Sequence, residues 1–151
     1  MIDVENLSTL SIDEKNVKNY VNQMLKYLGV NSNSDVSILF VGIEEMTKQH
    51  VRWMNEDGPT DVMSFPMDDF LLSDKHGLKK QGTLGDIIIC PEVALKDALE
   101  QTISPAKHLV FLLAHGILHL LGQDHQIAGE RVSMQEKEQG IMSYLRTAKK
   151  H

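Results

Sequence analysis

A single cysteine, Cys90, in a chain of 151 residues excludes any intramolecular disulfide and removes the usual sign of an oxidising compartment. Long hydrophobic runs are missing as well. The longest, residues 109–121, falls short of the roughly 20 residues needed to cross a bilayer and carries His115 and His119 within it, which makes it a core helix and not a membrane anchor. The opening residues, MIDVENLSTL, contain neither a basic n-region nor an apolar h-region. No secretory signal is visible, and a cytoplasmic location is the default expectation. Positive charge is scarce: 15 Lys and Arg against 21 Asp and Glu give a formal net charge of −6. That balance argues weakly against indiscriminate nucleic-acid binding, because phosphate contacts need local positive charge, yet it leaves room for a local basic patch. No internal repeat or low-complexity segment is present.

What is there is ordinary globular composition, 42% apolar and 24% charged, at a length that suits one domain over residues 1–151. Ile2 and Val4 alternate with polar neighbours and predict a short strand. Ser11 and Glu14 have capping-box spacing, after which Val17, Tyr20, Val21, Met24, Leu25 and Leu28 recur at helical intervals up to Gly29, a residue suited to a helix stop. VSILFVG, residues 36–42, is short and β-branched, as strands are. A second helix over about 43–54 lets Met46, His50, Trp53 and Met54 share a face. Turn formers in NEDGPTD lead to the strand DVMSFPM, with Val62, Ser64 and Pro66 on one side and Met63, Phe65 and Met67 on the other.

Residues 68–83 read as a polar loop with Lys75, His76, Lys79 and Lys80, and LGDIIIC reads as a buried strand. Helices follow over 92–101, from Pro105 with Ser104 as N-cap, and over about 128–148 with Val132, Met134, Ile141, Met142 and Leu145 available for packing. The order β-α-β-α-β-β-α-α-α predicts an α+β (α/β) fold, a mixed sheet of about four strands packed with about five helices.

The chemistry concentrates in FLLAHGILHLLGQDH, residues 111–125. Successive helical residues turn by about 100°, so His115 and His119 lie about 40° apart around the axis and about 6 Å apart along it. Both imidazoles can therefore reach one ion. Gly122 tolerates the left-handed conformation that ends a helix, and His125 can return to the same point. Three histidines leave a fourth position on zinc open, as a catalytic ion requires. One histidine alone is more often a core or cap residue, and His50, His76, His108 and His151 are read that way. The same H-x-x-x-H-x-x-G-x-x-H spacing belongs to the metzincin peptidases, whose general-base glutamate follows the first histidine. That position is Gly116 here, so the peptidase reading loses its central base.

HGILHLLGQDH closely resembles the H-G-x-L-H-L-x-G-x-D-H signature of the YbeY family of bacterial metal-dependent endoribonucleases. GPTDVMSFPM, residues 58–67, resembles the family's P-T-D-V-L-S-F-P segment, and LGDIIIC its L-G-D-I strand, in the same order. The resemblance covers essentially the whole chain. It implies one zinc ion held by His115, His119 and His125 on a metzincin-like helix, with His115 counted among the catalytic residues. It also implies cleavage of single-stranded RNA in 16S rRNA 3′-end maturation and ribosome quality control. The partners implied are rRNA and the ribosome or its small-subunit precursor, with no membrane and no DNA.

Many family members carry a catalytic arginine a few residues before P-T-D. Ungapped alignment puts Met54 there, and Arg52 is the nearest candidate. On a helix, that two-residue offset points the side chain about 160° away. Asp124, Asp86, Thr60 and Asp61 each admit a functional or a turn-forming reading. Cys90, at the end of an apolar strand, reads as core. The expected mechanism is metal-assisted RNA cleavage with a nearby cation, Arg52 or a lysine of residues 75–80, stabilising charge on phosphorus. Its rivals are a zinc peptidase and a non-catalytic ribosome-assembly factor with structural zinc.

Overall fold

Short β-branched segments pair edge to edge, and helices bury what the pairing leaves apolar. The structure, a computed structural model, describes residues 1–123 and 128–149. In chain order the elements are β1 (Ile2–Asn6), α1 (Glu14–Tyr27), β2 (Asp35–Phe40), α2 (Ile43–Met54), β3 (Val62–Pro66), α3 (Lys75–Leu78), β4 (Thr83–Ile89), α4 (Pro91–Glu100), α5 (Pro105–Leu120) and α6 (Ala128–Lys149). The sheet order is β1-β2-β4-β3, parallel from β1 through β2 to β4, with β3 antiparallel on the edge. This is the mixed sheet of the α+β fold that the sequence predicts.

The central position of β4 explains its continuous apolar run. Leu84, Ile87 and Ile89 are fully buried in the main core, while Asp86 and Ile88 on the opposite face are partly buried. One face of the sheet joins α1, α5 and α6 in the main core through Val36, Ile38, Phe40, Ile87, Val21, Ile117 and Ile141. The other face carries a smaller cluster in which Met46 of α2 meets Val41, Met63 and Cys90.

Two local expectations differ from what is observed. The N-cap of α1 is Asp13, whose carboxylate accepts the Asn16 N–H at 3.1 Å, and not Ser11. A charged cap also complements the positive helix end. Helix α2 buries only Met46, while Trp53 and Met54 stay 55% and 46% exposed. These residues share a face as expected, with His50 half-buried and the Trp53 ring 6.1 Å from that of Phe65 in β3, and the face opens to solvent toward the end of the helix. Residues 68–83 are anchored and not simply a loop: Phe70 and Leu78 enter the main core, and Asp74 caps the single turn α3 through the Gly77 N–H at 3.0 Å. Among the described residues, no single helix is long and apolar enough to cross a membrane.

Candidate metal centre

Helix α5 begins where Ser104 accepts the Lys107 N–H and Pro105 takes the first turn, which needs no N–H of its own. Its Leu112, Leu113, Ile117 and Leu120 face the core. A ladder of rings runs from the buried His108 to the partly exposed Phe111, His115 and His119: His108 and Phe111 are 6.2 Å apart, Phe111 and His115 6.0 Å, and His115 and His119 4.6 Å. The helix ends at Gly122, at φ +86°, where an added Cβ would meet Leu71 Cδ2 at 2.7 Å. The stop is where the spacing places it. His125 and Asp124 lie outside the described residues.

Nε2 of His115 and Nε2 of His119 stand 3.1 Å apart. Two imidazole nitrogens sharing one tetrahedral zinc at about 2.0–2.1 Å stand about 3.3 Å apart, so the pair fits the ion within a few tenths of an ångström. The donor chemistry fits as well. Nδ1 of His115 lies 3.1 Å from Oε2 of Glu138, and an Nδ1–H donated to that carboxylate puts the ring's lone pair on Nε2.

Glu138 is buried and belongs to α6, and the spacing of the histidines contains no hint of it. A signal did exist. Met134, Ile141 and Leu145 form the buried stripe of α6, and position 138 falls on that stripe at helical intervals, so an acidic residue interrupts an apolar face.

His115 borders two clefts. One, of about 530 Å³, lies along β3 and is lined among others by Met54, Thr60, Asp61, Ser64 and His119. The other, of about 860 Å³, lies between α5 and α6 and includes Lys107, Phe111, Arg131 and Glu138. Met54 lines the first cleft and Arg52 lines neither, as the two-residue offset on α2 requires. The Arg52 guanidinium sits 4.9 Å from the centre of the Trp53 ring. Lys79 and Lys80 are tied at the sheet end where β2 and β4 begin, their carbonyls accepting from Asn31 and Ser34, and no lysine of residues 75–80 lines either cleft.

Gly116 has a packing role. A Cβ there would stand 3.0 Å from both Cδ1 and Cγ2 of Ile87, and the Gly116 carbonyl accepts the Ser64 hydroxyl at 3.3 Å. The position faces β3 and β4, where α5 packs on the sheet.

Asp61 accepts the Val62 N–H on Oδ1 at 2.7 Å, and Thr60 donates to the same oxygen at 3.4 Å. The turn-forming reading of Asp61 thus describes part of its role. Its carboxylate also lies with those of Asp97 and a ring nitrogen of His108 in a group whose ligand atoms are all within 4.8 Å of one another, a set able to hold a metal ion. His108 is buried, as a core histidine should be. His50 is satisfied by the Gly58 carbonyl at 2.9 Å and by Glu56 at 3.1 Å. Burial, reinforced by Asp61, pushes the Asp97 carboxyl above its ordinary value against the pull of His108. Burial likewise pushes the Cys90 thiol up, which suits a core residue. Asp86 sits mid-strand on β4, paired in register with Ser37 and Phe65.

The family profile described as Endoribonuclease YbeY matches residues 3–146. Proteins named Endoribonuclease YbeY are similar over most of the chain. The one from Beutenbergia cavernae is 39% identical, covering 93% of this chain and 93% of its own. The one from Thermobifida fusca is 40% identical, covering 91% and 98%. That from Bifidobacterium adolescentis is 42% identical, covering 82% and 68%. A solution structure of a Thermotoga maritima protein superposes with a TM-score of 0.68 at 24% identity, over 99% of this chain and 92% of that one, and shows the same fold.

Proposed function

Because this chain belongs to the YbeY family of endoribonucleases, we propose that it is a single-strand-specific, metal-dependent endoribonuclease acting in rRNA maturation and ribosome quality control in the cytoplasm. The observation that carries this reading is the convergence of the His115 and His119 Nε2 atoms at 3.1 Å on a helix that opens onto two clefts. His115 and His119 would hold one zinc ion, and the sequence spacing makes His125 the third ligand. Bound there, zinc supplies Lewis-acid polarisation of a phosphodiester oxygen and acidifies a water.

The chain's own residues do the rest. Glu138 accepts the His115 Nδ1–H and keeps that ring oriented. Lys107 and Arg131 line the cleft beside His115, where cations can meet the phosphates of a strand, and the Phe111 ring offers a stacking surface for a base. Arg52 lies outside both linings and contributes only to a strand that runs on across α2. With a net charge of −6, binding of RNA rests on these local groups or on a ribosomal partner, so cleavage of free RNA should be slow and strongly salt-dependent.

The test incubates zinc-quantified protein with single-stranded RNA and, separately, with a denatured protein. The expected result is RNA cleavage alone, lost on chelation and restored by added zinc. Cleavage of the protein substrate alone would establish a peptidase instead. Stoichiometric zinc with neither substrate cut would point to an assembly factor.

Glu138→Gln is expected to weaken zinc binding by about tenfold and Glu138→Ala by up to about 100-fold, measured by chelator competition. A residue that only supported packing would shift the melting temperature and leave zinc affinity unchanged.

A further inference from the structure

We propose that Asp61, Asp97 and His108 form a second divalent-cation site, separate from the histidine pair, that ties the approach to β3 to helices α4 and α5. The three side chains come from three different parts of the chain: the turn before β3, the middle of α4 and the first turns of α5. Their ligand atoms lie within 4.8 Å of one another without an ion. Ligands at roughly 2.1–2.2 Å from a shared cation stand about 3.0–4.4 Å apart, so small side-chain rotations close the set.

An independent observation points to a ligand. His108 is only 6% exposed, and its Nε2 is fully buried with no hydrogen-bond partner among the described residues. A buried imidazole nitrogen without a partner is costly, and an ion is one of the few things that satisfies it. The carboxylates are in a matching position. Two anionic groups share a partly desolvated space, and among the described residues neither forms a salt bridge with lysine or arginine. Asp61 is held in place from both ends, its Oδ1 accepting the Val62 N–H at 2.7 Å and its carbonyl the Cys90 N–H at 2.9 Å.

Two carboxylates and one imidazole suit a cation that accepts both oxygen and nitrogen, of the manganese or zinc kind, with waters completing the shell. His108 and His115 are two helical turns apart, about 10.5 Å along α5. Two-metal catalytic sites hold their ions about 3.5–4 Å apart, so this second ion is a staple and takes no part in cleavage. The competing arrangement is an ionic triad in which a protonated His108 bridges the two carboxylates with no metal.

The site is tested on the full chain already loaded with one equivalent of zinc. Manganese is titrated in while free ion is followed by electron paramagnetic resonance, and a second equivalent of zinc is titrated in parallel. One saturable site is expected with Kd below about 1 mM, together with a nitrogen coupling from a bound imidazole. Asp97→Asn, on the partly exposed α4, should weaken binding at least about tenfold and abolish the rise in melting temperature that the cation gives wild type. His108→Gln should remove the nitrogen coupling. His119→Ala should retain the manganese site, which separates this proposal from the reading of the histidine pair. The ionic triad prevails if neither cation binds saturably, or if Asp97→Asn leaves binding unchanged. Loss of the manganese site in His119→Ala would place that ion at the histidine pair and refute the second site.

Discussion

His119→Ala is expected to lower RNA cleavage by on the order of 10²–10³-fold while the fold persists, because the proposed zinc ion would lose one of its ligands. His119 is partly exposed in the last turn of α5, flanked by Leu118 and Leu120, which carry the core contacts. Alanine is the best helix former, and the site lacks the buried volume that makes a large-to-small change costly, so the loss of stability should stay within about 1 kcal/mol. Zinc per chain, the melting temperature and the rate of cleavage of single-stranded RNA are the three measurements. The expected pattern is zinc much reduced, melting nearly unchanged and cleavage lost. Wild-type cleavage by zinc-free His119→Ala protein would remove the histidine pair from the mechanism.

Gly116→Glu should have the largest effect on stability, above about 3 kcal/mol, and should not create a peptidase. Even the first carbon of a side chain at 116 stands 3.0 Å from two atoms of Ile87, which is itself fully buried in β4. Overpacking of that kind costs about 1–3 kcal/mol, the range expected for Gly116→Ala. Glutamate adds a carboxylate on the sheet side of α5, where it must be desolvated or force the helix away from the strand. Urea denaturation of the two variants checks the order. A Gly116→Glu protein with wild-type stability and activity on a denatured protein would show that position 116 reaches the cleft after all. The expected result gives the missing general base a structural basis: the residue that follows the first histidine is where helix meets sheet.

The parts of the site legible in the sequence are those governed by a single helix. The separation of His115 and His119 follows from 3.6 residues per turn, and Gly122 marks the stop because its φ of +86° is unfavourable for other residues. The failure of Arg52 to line the cleft, with Met54 there instead, is likewise helical arithmetic. The apolar run of β4 announced a buried strand, and the structure buries one face fully and the other, at Asp86 and Ile88, in part. It did not announce that β3 would join antiparallel on the edge, because strand pairing depends on which hydrogen-bonding edge remains open once the parallel strands have formed. The burial of Phe70 and Leu78 was hidden for a related reason: the few apolar residues of this polar stretch, Phe70, Leu71, Leu72 and Leu78, follow neither a helical nor a strand period.

The sequence by itself determined the helix that presents two histidines to one point, its end at a glycine, and the absence of a peptidase's glutamate, since these follow from backbone geometry over one or two turns. Only the tertiary structure decided that Glu138 of α6 reaches His115, that Gly116 is pressed against Ile87, and that Asp61, Asp97 and His108 come together in one partly buried group. Those contacts join residues on different elements, and side chains far apart along the chain meet only after the hydrophobic faces of those elements have chosen how to pack.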